Sequence, residues 1–476
     1  MDLGMAAKRY ETLADDIAAS IARGTLKPGD RLPSVRQARA SRNVSAATVF
    51  EAYYLLESRG LIQSRPRSGY YVAAPPTKAR AAVPTAPSQP DGQAREVKIT
   101  DLIFDMLQAA TRREVVPLGS AFPSPLFFPL PRLGRALAAS ATHLDPWSTV
   151  EHLTPGSLEL RRQIAQRYLL DGVRADVDEI VVTNGAMEAL NLCLAATCKP
   201  GSAVVVESPC FYACLQALER QGLRAIEVAT DPRTGVDLEA LDTILVRDRP
   251  GAVWVMTNFQ NPLGGSMPAE KKQALVDLVH RHRVPLIEDD VYHELYFDPQ
   301  RPASTKAFDR DGWVLHCSSF SKTLAPGYRI GWANAGRFAR EVAQQKLGAS
   351  LATSIPVQLA LASYLERGSY DRHLRGLRAR LRTQRDVYAA FIGDVFPAGT
   401  RVAHPDGGYF LWVELPEGCD ALALAQRALA EGISVSPGPI FSPAGAFRNC
   451  VRINFGHPLD ARVEAALTRV GEMAGG

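Results

Sequence analysis

The sequence lacks any long apolar run. No stretch of its 476 residues approaches the roughly 18 uninterrupted apolar residues that a membrane helix needs. Acidic residues also interrupt the first 16 positions, where a secretory signal peptide would be apolar. We therefore expect a cytoplasmic protein that neither spans a membrane nor is exported.

Cysteine is scarce, and its spacing suits neither a metal site nor a disulfide framework. The seven cysteines are Cys193, Cys198, Cys210, Cys214, Cys317, Cys419 and Cys450. Cys210 and Cys214 come nearest to a pair, but no histidine stands close enough in sequence to complete a metal site. An odd number of scattered cysteines indicates reduced thiols in the core of a cytosolic protein, and we expect no metal.

Net charge is small but unevenly distributed. Residues 1–80 contain 13 lysines and arginines against 7 acidic residues, whereas residues 81–476 contain 41 against 43. Neutralising phosphates with basic side chains supplies most non-specific affinity for nucleic acid. The basic excess therefore favours a nucleic-acid-binding module on a near-neutral partner domain, although such an excess alone also fits a solvated surface.

The first 74 residues have the pattern of three short helices and a hairpin. Apolar residues recur every four positions over residues 10–24, as in an amphipathic helix. Ser34 and Ser45 are natural N-caps for a second and a third helix. A basic turn at residues 65–69 then separates two β-rich runs. This order predicts a winged helix-turn-helix whose third helix enters the major groove of DNA.

The motifs of this region resemble the GntR family head. The matching residues are Gly24, Leu26, Pro28, Gly29, Asp30, Leu32, Pro33, Ser34, Arg36, Val44, Ser45, Thr48, Val49, Gly60, Leu61 and Ile62. The resemblance implies DNA binding through Arg36, Arg39, Ser45, Thr48, Arg65, Arg67 and Gly69. Taken singly, Arg36 or Thr48 would be read as an ordinary surface residue, but the spacing of the whole motif favours DNA contact. Ala46 replaces an arginine usual in the family, and Ala38-Arg39 replaces Leu-Ala, so one phosphate contact is expected to be lost and another gained.

The composition then changes to alanine, proline, threonine, serine and glutamine. Five prolines and few large apolar residues occur between about positions 73 and 99. Such a segment is typical of an extended linker rather than a folded element. We therefore divide the chain into a DNA-binding domain at 1–74, a linker at 75–100 and a large domain at 101–476.

The large domain alternates helical stretches with short β-rich runs. Clear runs occur at residues 180–182, 203–206, 252–255 and 285–287. Strands and helices in alternation predict an α/β fold with a parallel-rich sheet and flanking helices. Ligands bind such sheets at the carboxyl ends of the strands.

Several polar motifs stand at those strand ends. Gly185 and Ala186 open a helix whose first amides can face a phosphate, although Gly-Ala is also common in plain turns. Phe211 could stack on a flat ring or belong to the core. The amide of Asn261 could donate to a ring oxygen, or the residue could simply form a turn with the proline that follows.

An acidic and a basic motif complete the set. Asp289 is costly to bury without a cation, and a pyridinium N–H would supply one, while the Tyr292 hydroxyl could reach the phenolic oxygen. The neighbouring carboxylates Glu288, Asp290 and Glu294 are competitors for this role. Lys322 would usually be a solvated charge. Here Ser319, Ser321 and Arg329 surround it in sequence as candidate phosphate donors, which makes Lys322 a candidate Schiff-base lysine.

Over residues 115–470 these motifs resemble the fold-type I, aspartate aminotransferase-like enzymes. The resemblance implies pyridoxal 5′-phosphate held by Lys322 as an internal aldimine, Asp289 on the ring nitrogen, Asn261 and Tyr292 on the phenolic oxygen, and Arg329 on the phosphate. It selects Asp289 among the carboxylates by its spacing to Tyr292. It also implies a small C-terminal α+β subdomain, in which Arg452 binds a substrate or effector carboxylate; in isolation Arg452 would pass for a strand-edge surface residue.

A GntR-like head joined to an aminotransferase-like body resembles the MocR/PdxR group of regulators. Gly119, Pro123 and residues 127–129 are similar to the start of that group's large domain, although Ser124 replaces a usual acid. The resemblance implies a head-to-tail homodimer on a double-stranded DNA operator with two half-sites. It further implies that an amine, amino acid or B6 vitamer is sensed through the Lys322 aldimine.

Two other functions fit parts of the sequence. A working class I/II aminotransferase with the head as a tether is one, because every group that transamination needs is present. A DNA-binding scaffold without cofactor is the other, but it predicts decay of the motifs around Lys322, and none is visible. Regulation is favoured because no amino-acid biosynthetic enzyme requires a basic winged head.

Overall fold

The structure is a computed structural model, and it describes residues 9–58, 61–65, 68–73, 86–101, 103–104 and 112–476. The α-helices in these ranges are α1 Arg9–Ala22, α2 Val35–Arg42, α3 Ala46–Ser58, α4 Leu130–Thr142, α5 Ser148–Glu151, α6 Leu158–Leu169, α7 Ala186–Thr197, α8 Tyr212–Arg220, α9 Leu238–Asp248, α10 Ala269–His282, α11 Ala339–Ser350, α12 Ile355–Glu366, α13 Ser369–Val395, α14 Ala421–Ala430 and α15 Ala461–Gly475. The strands are β1 Ile62–Arg65, β2 Gly69–Val72, β3 Ala94–Glu96, β4 Ile180–Thr183, β5 Ala203–Glu207, β6 Arg224–Val228, β7 Thr230–Asp231, β8 Gly235–Val236, β9 Ala252–Val255, β10 Leu286–Asp289, β11 Val314–Ser319, β12 Gly331–Asn334, β13 Arg401–Val402, β14 Phe410–Glu414, β15 Ser436–Pro437 and β16 Cys450–Asn454.

The head consists of α1 to α3 and the β1–β2 hairpin. Ser34 caps α2 in a capping box with Gln37, and Asn43 ends this helix in a left-handed conformation. The Tyr53 hydroxyl donates to the Pro33 carbonyl at 2.6 Å, which ties α3 to the start of α2. Strands β1 and β2 pair antiparallel, with Ile62 opposite Val72. The predicted winged helix-turn-helix is confirmed, while residues 59–60, which follow α3 and include the motif residue Gly60, lie outside the described residues.

The second half of the predicted linker belongs to the large domain. Strand β3 pairs antiparallel with β6, and Ser88 exchanges hydrogen bonds with Thr230. The Glu219 carboxylate accepts the amides of Ile99 and Thr100 at 2.9 and 3.0 Å. The segment is extended, as predicted, but it forms an edge of the sheet instead of a free spacer because β6 offers it backbone partners. Residues 74–85 lie outside the described ranges.

The large domain is built on an eight-stranded sheet in the order β3-β6-β5-β9-β10-β11-β12-β4. β5, β6, β9, β10 and β11 run parallel, whereas β12 is antiparallel to both of its neighbours and β3 is antiparallel to β6. Val204 and Val206 pack into one apolar cluster with α7 and α8, and Val205 packs into another with α9 and α10. Both faces are covered, which explains why these strands are apolar without alternation. The predicted parallel-rich α/β fold is confirmed.

A smaller four-stranded antiparallel sheet follows in the order β13-β14-β16-β15. Helices α14 and α15 and part of the 27-residue helix α13 share its apolar core. This is the C-terminal α+β subdomain that the resemblance implied. Its strand β16 carries Arg452 and Asn454, two residues apart, so both side chains lie on one face of the sheet.

Two expectations from composition concern the helices and the cysteines. In the ranges that the structure describes, no helix has the length and apolar content to cross a membrane. All seven cysteines are free thiols, five of them buried, and the sulfurs of Cys193 and Cys317 lie 3.5 Å apart.

Candidate functional site

The residues predicted for a cofactor meet at the carboxyl edge of the large sheet. Asp289 is the last residue of β10 and lies opposite Cys317 in the adjacent strand β11. Lys322 follows the end of β11 by three residues, and Gly185 follows β4 by two. Because parallel strands end at the same edge, motifs far apart in sequence converge there.

Lys322 is buried at this edge. Its amine donates to the carbonyl of Ala121 at 2.8 Å and lies 4.0 Å from the centroid of the Phe122 ring. Burial lowers the pKa of Lys322 to about 7, with further lowering by Arg452 and an opposing rise from Asp289. Near neutral pH a large fraction of the amine is therefore unprotonated, which is the form that attacks a carbonyl.

One carboxylate oxygen of Asp289 accepts no hydrogen bond from the described residues. Its Oδ1 is buried and has no hydrogen-bond partner among the described residues. Burial raises the pKa of Asp289 to about 7, against the opposing field of Lys322. Buried carboxylates are normally paired, so an unpaired oxygen here fits a positively charged ring N–H.

The other carboxylates of this stretch face elsewhere. Asn258 donates to Asp290, and His293 and His316 lie 3.0 and 3.1 Å from its Oδ2. Although burial raises it, the two histidines hold the pKa of Asp290 well below its usual range. Glu288 accepts the backbone amides of Thr305 and Lys306. Strand alternation thus separates Asp289 from Asp290, which agrees with the choice of Asp289.

Three of those residues form a possible metal-ligand group, although none was expected from the sequence. One ligand atom from each of Glu288, Asp290 and His316 lies within 4.8 Å of the others. Each of these side chains already has hydrogen-bond partners within the protein. We read the group as a structural network behind the site.

The residues predicted to bind a phosphate lie around Arg329. Its Nη2 donates to the Asn184 carbonyl at 2.8 Å. The Ser321 hydroxyl is buried with no hydrogen-bond partner in the described part of the chain, and the Ser319 hydroxyl accepts the Ser321 amide at 3.4 Å. A free hydroxyl and a guanidinium at the start of α7 fit a phosphate.

Gly185 has a different role from the one predicted. Its amide donates to the Thr183 carbonyl at 2.9 Å and so does not face a phosphate. Its φ of 87° and ψ of 169° lie in a region that only glycine adopts readily. A Cβ there would lie 2.9 Å from Cζ of Arg329. Gly185 thus leaves room for the Arg329 guanidinium, while Ala186, the first residue of α7, keeps its predicted place at the helix N-terminus.

Gly185→Ala is expected to lower the free energy of unfolding by about 1–3 kcal/mol because of the backbone conformation. It should also weaken binding of a phosphate-bearing ligand, because the new methyl group displaces the Arg329 guanidinium. Thermal unfolding and equilibrium dialysis measure the two effects. Gly134→Ala is the control, since Gly134 lies inside α4 with no atom near its Cβ position, and it should be neutral or stabilise by about 0.5–1 kcal/mol. Equal effects of the two substitutions would contradict the role of Gly185.

Arg452 forms the other wall of the site and is fully buried. Its Nη1 donates to Asn261 Oδ1 at 3.0 Å, and the Asn261 amide donates to the Tyr292 hydroxyl at 3.4 Å. Its Nη2 donates to the Gly119 carbonyl at 2.8 Å, whereas its Nε has no hydrogen-bond partner among the described residues. The structure thus brings Arg452, Asn261 and Tyr292 into one hydrogen-bonded chain.

Phe211 was assigned either to ring stacking or to the core. It is half-buried as the N-cap residue of α8, with its ring centroid 4.7 Å from that of Tyr212. It packs against both of the larger apolar clusters. Its position is compatible with both assignments.

Three features of the site were missed by the sequence reading. Glu207 ends β5 and accepts the Met256 amide at 2.8 Å, and burial raises its pKa to about 8. Asn454 donates to the carbonyls of residues 120 and 122. The segment of residues 119–122 itself contacts both Lys322 and Arg452. Strand alternation from Arg452 could have indicated Asn454, but no local pattern pointed to the other two.

The predicted DNA-binding residues whose side chains the structure describes are at least partly exposed on the head. Arg36 and Arg39 are exposed on α2. The exposed Ser45 caps α3, where its hydroxyl accepts the Thr48 amide at 3.1 Å and lies 2.8 Å from the Thr48 hydroxyl. Gly69 begins β2 with a φ of 109°. Arg67 and the side chain of Arg65 lie outside the described residues.

Comparison with known proteins accounts for both parts of the chain. Residues 9–72 match the gntR family of bacterial regulatory proteins, and residues 136–470 match aminotransferase class I and II. The uncharacterized HTH-type transcriptional regulators YdcR and YjiR of Escherichia coli are 47% and 38% identical to this chain over 466 residues. These matches cover 98% of this chain and 99% and 98% of the two relatives. The crystal structure of LysN, the α-aminoadipate aminotransferase of Thermus thermophilus complexed with N-(5′-phosphopyridoxyl)-L-leucine, matches with a TM-score of 0.71 and 30% identity, covering 78% of this chain and 94% of LysN.

Proposed function

Because the chain belongs to the HTH-type transcriptional regulators that join a GntR-family head to an aminotransferase class I and II domain, we propose that it senses a small amine through pyridoxal 5′-phosphate on Lys322. The effector is an amine, an amino acid or a B6 vitamer, and its binding changes the affinity of the head for double-stranded DNA. The observation that carries the proposal is the buried oxygen of Asp289, which has no hydrogen-bond partner among the described residues and lies in the electrostatic field of the buried Lys322 amine.

The residues present fit the cofactor at each of its polar groups. Asp289 would hold the proton on the ring nitrogen, and Asn261 with Tyr292 would donate to the ring oxygen. Arg329 and Ser321 would hold the phosphate. When bound, pyridoxal 5′-phosphate supplies an aldehyde that condenses with primary amines.

The chain's own groups then select the effector. Lys322, with a pKa of about 7, supplies an unprotonated amine near neutral pH. Arg452 can bind a carboxylate through two parallel hydrogen bonds, which favours amino acids over simple amines. Phe410 and Phe441 lie 4.2 and 5.3 Å from the Arg452 guanidinium and exclude water from it.

We further propose a head-to-tail homodimer with two heads on one operator. A basic head that reads one half-site gains specificity when a second head reads the other. The body also exposes large apolar side chains at Trp147, Val150, Leu169 and Leu170, which is typical of a surface that a second subunit covers.

Titration of the purified protein against DNA from upstream of its own gene tests the proposal. We expect the affinity to change by roughly 5- to 150-fold when the active effector is added from a panel of amines, amino acids and B6 vitamers. Fluorescence anisotropy measures the change. An unchanged affinity across the whole panel would refute sensing.

An active aminotransferase is the second candidate, supported by the presence of Lys322, Asp289 and Arg452 in one pocket. Sustained conversion of an amino acid and a keto acid at typical enzymatic rates, about 1–10³ per second, would favour it. A single turnover, or none, together with a DNA response leaves regulation as the function.

A further inference from the structure

One short segment connects the cofactor site to the head. We call residues 119–127 the strap. The chain immediately before it is anchored on the small subdomain, where Val116 exchanges backbone hydrogen bonds with residues 432 and 434 and the Leu118 carbonyl accepts the Asn454 amide at 2.7 Å. The strap therefore starts from a fixed point beside β16.

The first half of the strap contacts Arg452 and Lys322. The Gly119 carbonyl accepts Nη2 of Arg452 at 2.8 Å, and the Ala121 carbonyl accepts the Lys322 amine at 2.8 Å. The Tyr409 hydroxyl also donates to the Ala121 carbonyl, at 3.0 Å. Nη2 of Arg452 has two N–H groups and donates to both the Gly119 carbonyl and the Ser436 hydroxyl, at 2.8 and 3.1 Å. A carboxylate that binds this nitrogen must therefore compete with these two acceptors.

Asn454 fastens the same half of the strap. Its side-chain amide donates to the carbonyls of Ser120 and Phe122 at 2.9 and 2.7 Å. Because Asn454 and Arg452 project from the same face of β16, a shift of the strap away from Arg452 also loosens it from Asn454. Arg452 and Asn454 thus hold the strap from one strand, while the hydroxyls of Ser434 and Ser436 bond to the Gly119 amide and carbonyl.

The second half of the strap is connected to the head through Arg380 of the large domain. The Ser124 amide donates to the Gly456 carbonyl at 2.8 Å, and the segment then forms a short 3₁₀ turn, Pro125–Phe127. The Phe127 ring lies 5.5 Å from the Arg380 guanidinium on α13. That guanidinium lies 4.4 Å from the ring of Tyr54, which belongs to α3, the recognition helix. The Arg452 contact thus lies at one end of this short segment, and at the other end Phe127 contacts Arg380, which in turn contacts the head.

The junction around Tyr54 is loosely packed. Cavities of about 400 and 470 Å³ lie between head and body, and Tyr54, Phe127 and Arg380 line both of them. Side chains bordered by cavities have few atoms to hold them, so small displacements cost little. A small movement of Phe127 can therefore change the position of α3, the recognition helix.

We propose that the strap is the element that couples the effector site to the recognition helix. A ligand carboxylate that replaces the Gly119 carbonyl as a hydrogen-bond acceptor of Arg452 displaces the strap. Phe127 then moves away from Arg380, the residue that contacts Tyr54 of the head. This inference rests on the proposed function. It adds the route by which binding is transmitted, through the body-head contact rather than through the linker.

Hydrogen–deuterium exchange on the full-length chain tests the route. The probe is N-(5′-phosphopyridoxyl)-L-leucine, which carries the phosphate, the ring and a carboxylate, added to protein depleted of cofactor. We expect the probe to speed exchange roughly fivefold or more in two segments, the strap and residues 46–58 of α3. Probe binding is measured separately by isothermal titration.

Phe127→Ala tests whether the second half of the strap transmits the change to α3. This variant should bind the probe normally and show the change in residues 119–124, but α3 should no longer respond. Phe338→Ala is the matched control, because Phe338 is also half-buried and packs against a ring, that of Trp313, and it should respond like the wild type. A Phe127→Ala protein whose α3 still responds would overturn the coupling route, as would bound probe without any change in the strap. Failure of the probe to bind would instead count against the cofactor site itself.

Discussion

Lys322→Ala is expected to abolish covalent attachment of pyridoxal 5′-phosphate and, with it, the effect of the effector on DNA binding. The substitution removes the buried amine and leaves the cofactor only the contacts around Asp289 and Arg329. The purified wild-type protein should be yellow and lose its colour with borohydride, whereas the variant should show neither property. The DNA response, roughly 5- to 150-fold in the wild type, should disappear.

Basal DNA affinity provides the internal check on this variant. Lys322 lies in the large domain and none of its described contacts is with the head, so the variant should still bind DNA in the absence of effector. Lys271→Ala is the control, since Lys271 is a partly buried lysine on α10 that donates to Thr234 outside the site. A yellow, borohydride-sensitive Lys322→Ala protein would show that another lysine carries the cofactor.

Arg36→Ala is expected to weaken DNA binding by about 1–3 kcal/mol if the arginine reads a base edge. If it contacts a phosphate instead, binding should weaken evenly across DNA sequences, and the slope of log affinity against log salt should fall by about 1. Either outcome follows from the exposure of Arg36 on α2. Anisotropy titrations at several salt concentrations, on operator and on unrelated DNA, distinguish the two.

Arg42→Ala is the control for the positive charge that Arg36→Ala removes. Arg42 lies on the same helix, but its guanidinium is 3.0 Å from Asp16, so its charge is already paired within the head. Both residues of this pair are half exposed, and its loss should cost no more than about 1 kcal/mol of stability. An effect of Arg42→Ala on DNA binding as large as that of Arg36→Ala would mean that only net charge matters.

Predictions from the sequence were accurate where a feature and its cause lie within a few residues of each other. The predicted capping of α2 by Ser34 follows from a side chain that bonds to the backbone of its own helix. Asp289 was chosen over Asp290 by its spacing to Tyr292, and the alternation of side chains places the two carboxylates on opposite sides of the strand. In each case the cause lies within a few residues of its effect.

The errors concern contacts between distant parts of the chain. The second half of the predicted linker became an edge strand because β6 had unpaired backbone groups. The amide of Gly185 was expected to face a phosphate, yet it donates to Thr183, and the requirement for glycine comes from Arg329. Proline content and a Gly-Ala pair give no information about such partners.

The sequence by itself determined the two-part architecture, the helices and strands of each part, and the strand ends at which Asp289 and Lys322 stand. Periodicity and capping are local effects, and they are written in neighbouring residues. Only the tertiary structure decided that residues 119–127 lie between Arg452, Lys322 and the recognition helix. Gly119 and Arg452 are 333 positions apart, and a hydrogen bond between a backbone carbonyl and a distant guanidinium leaves no pattern in either segment.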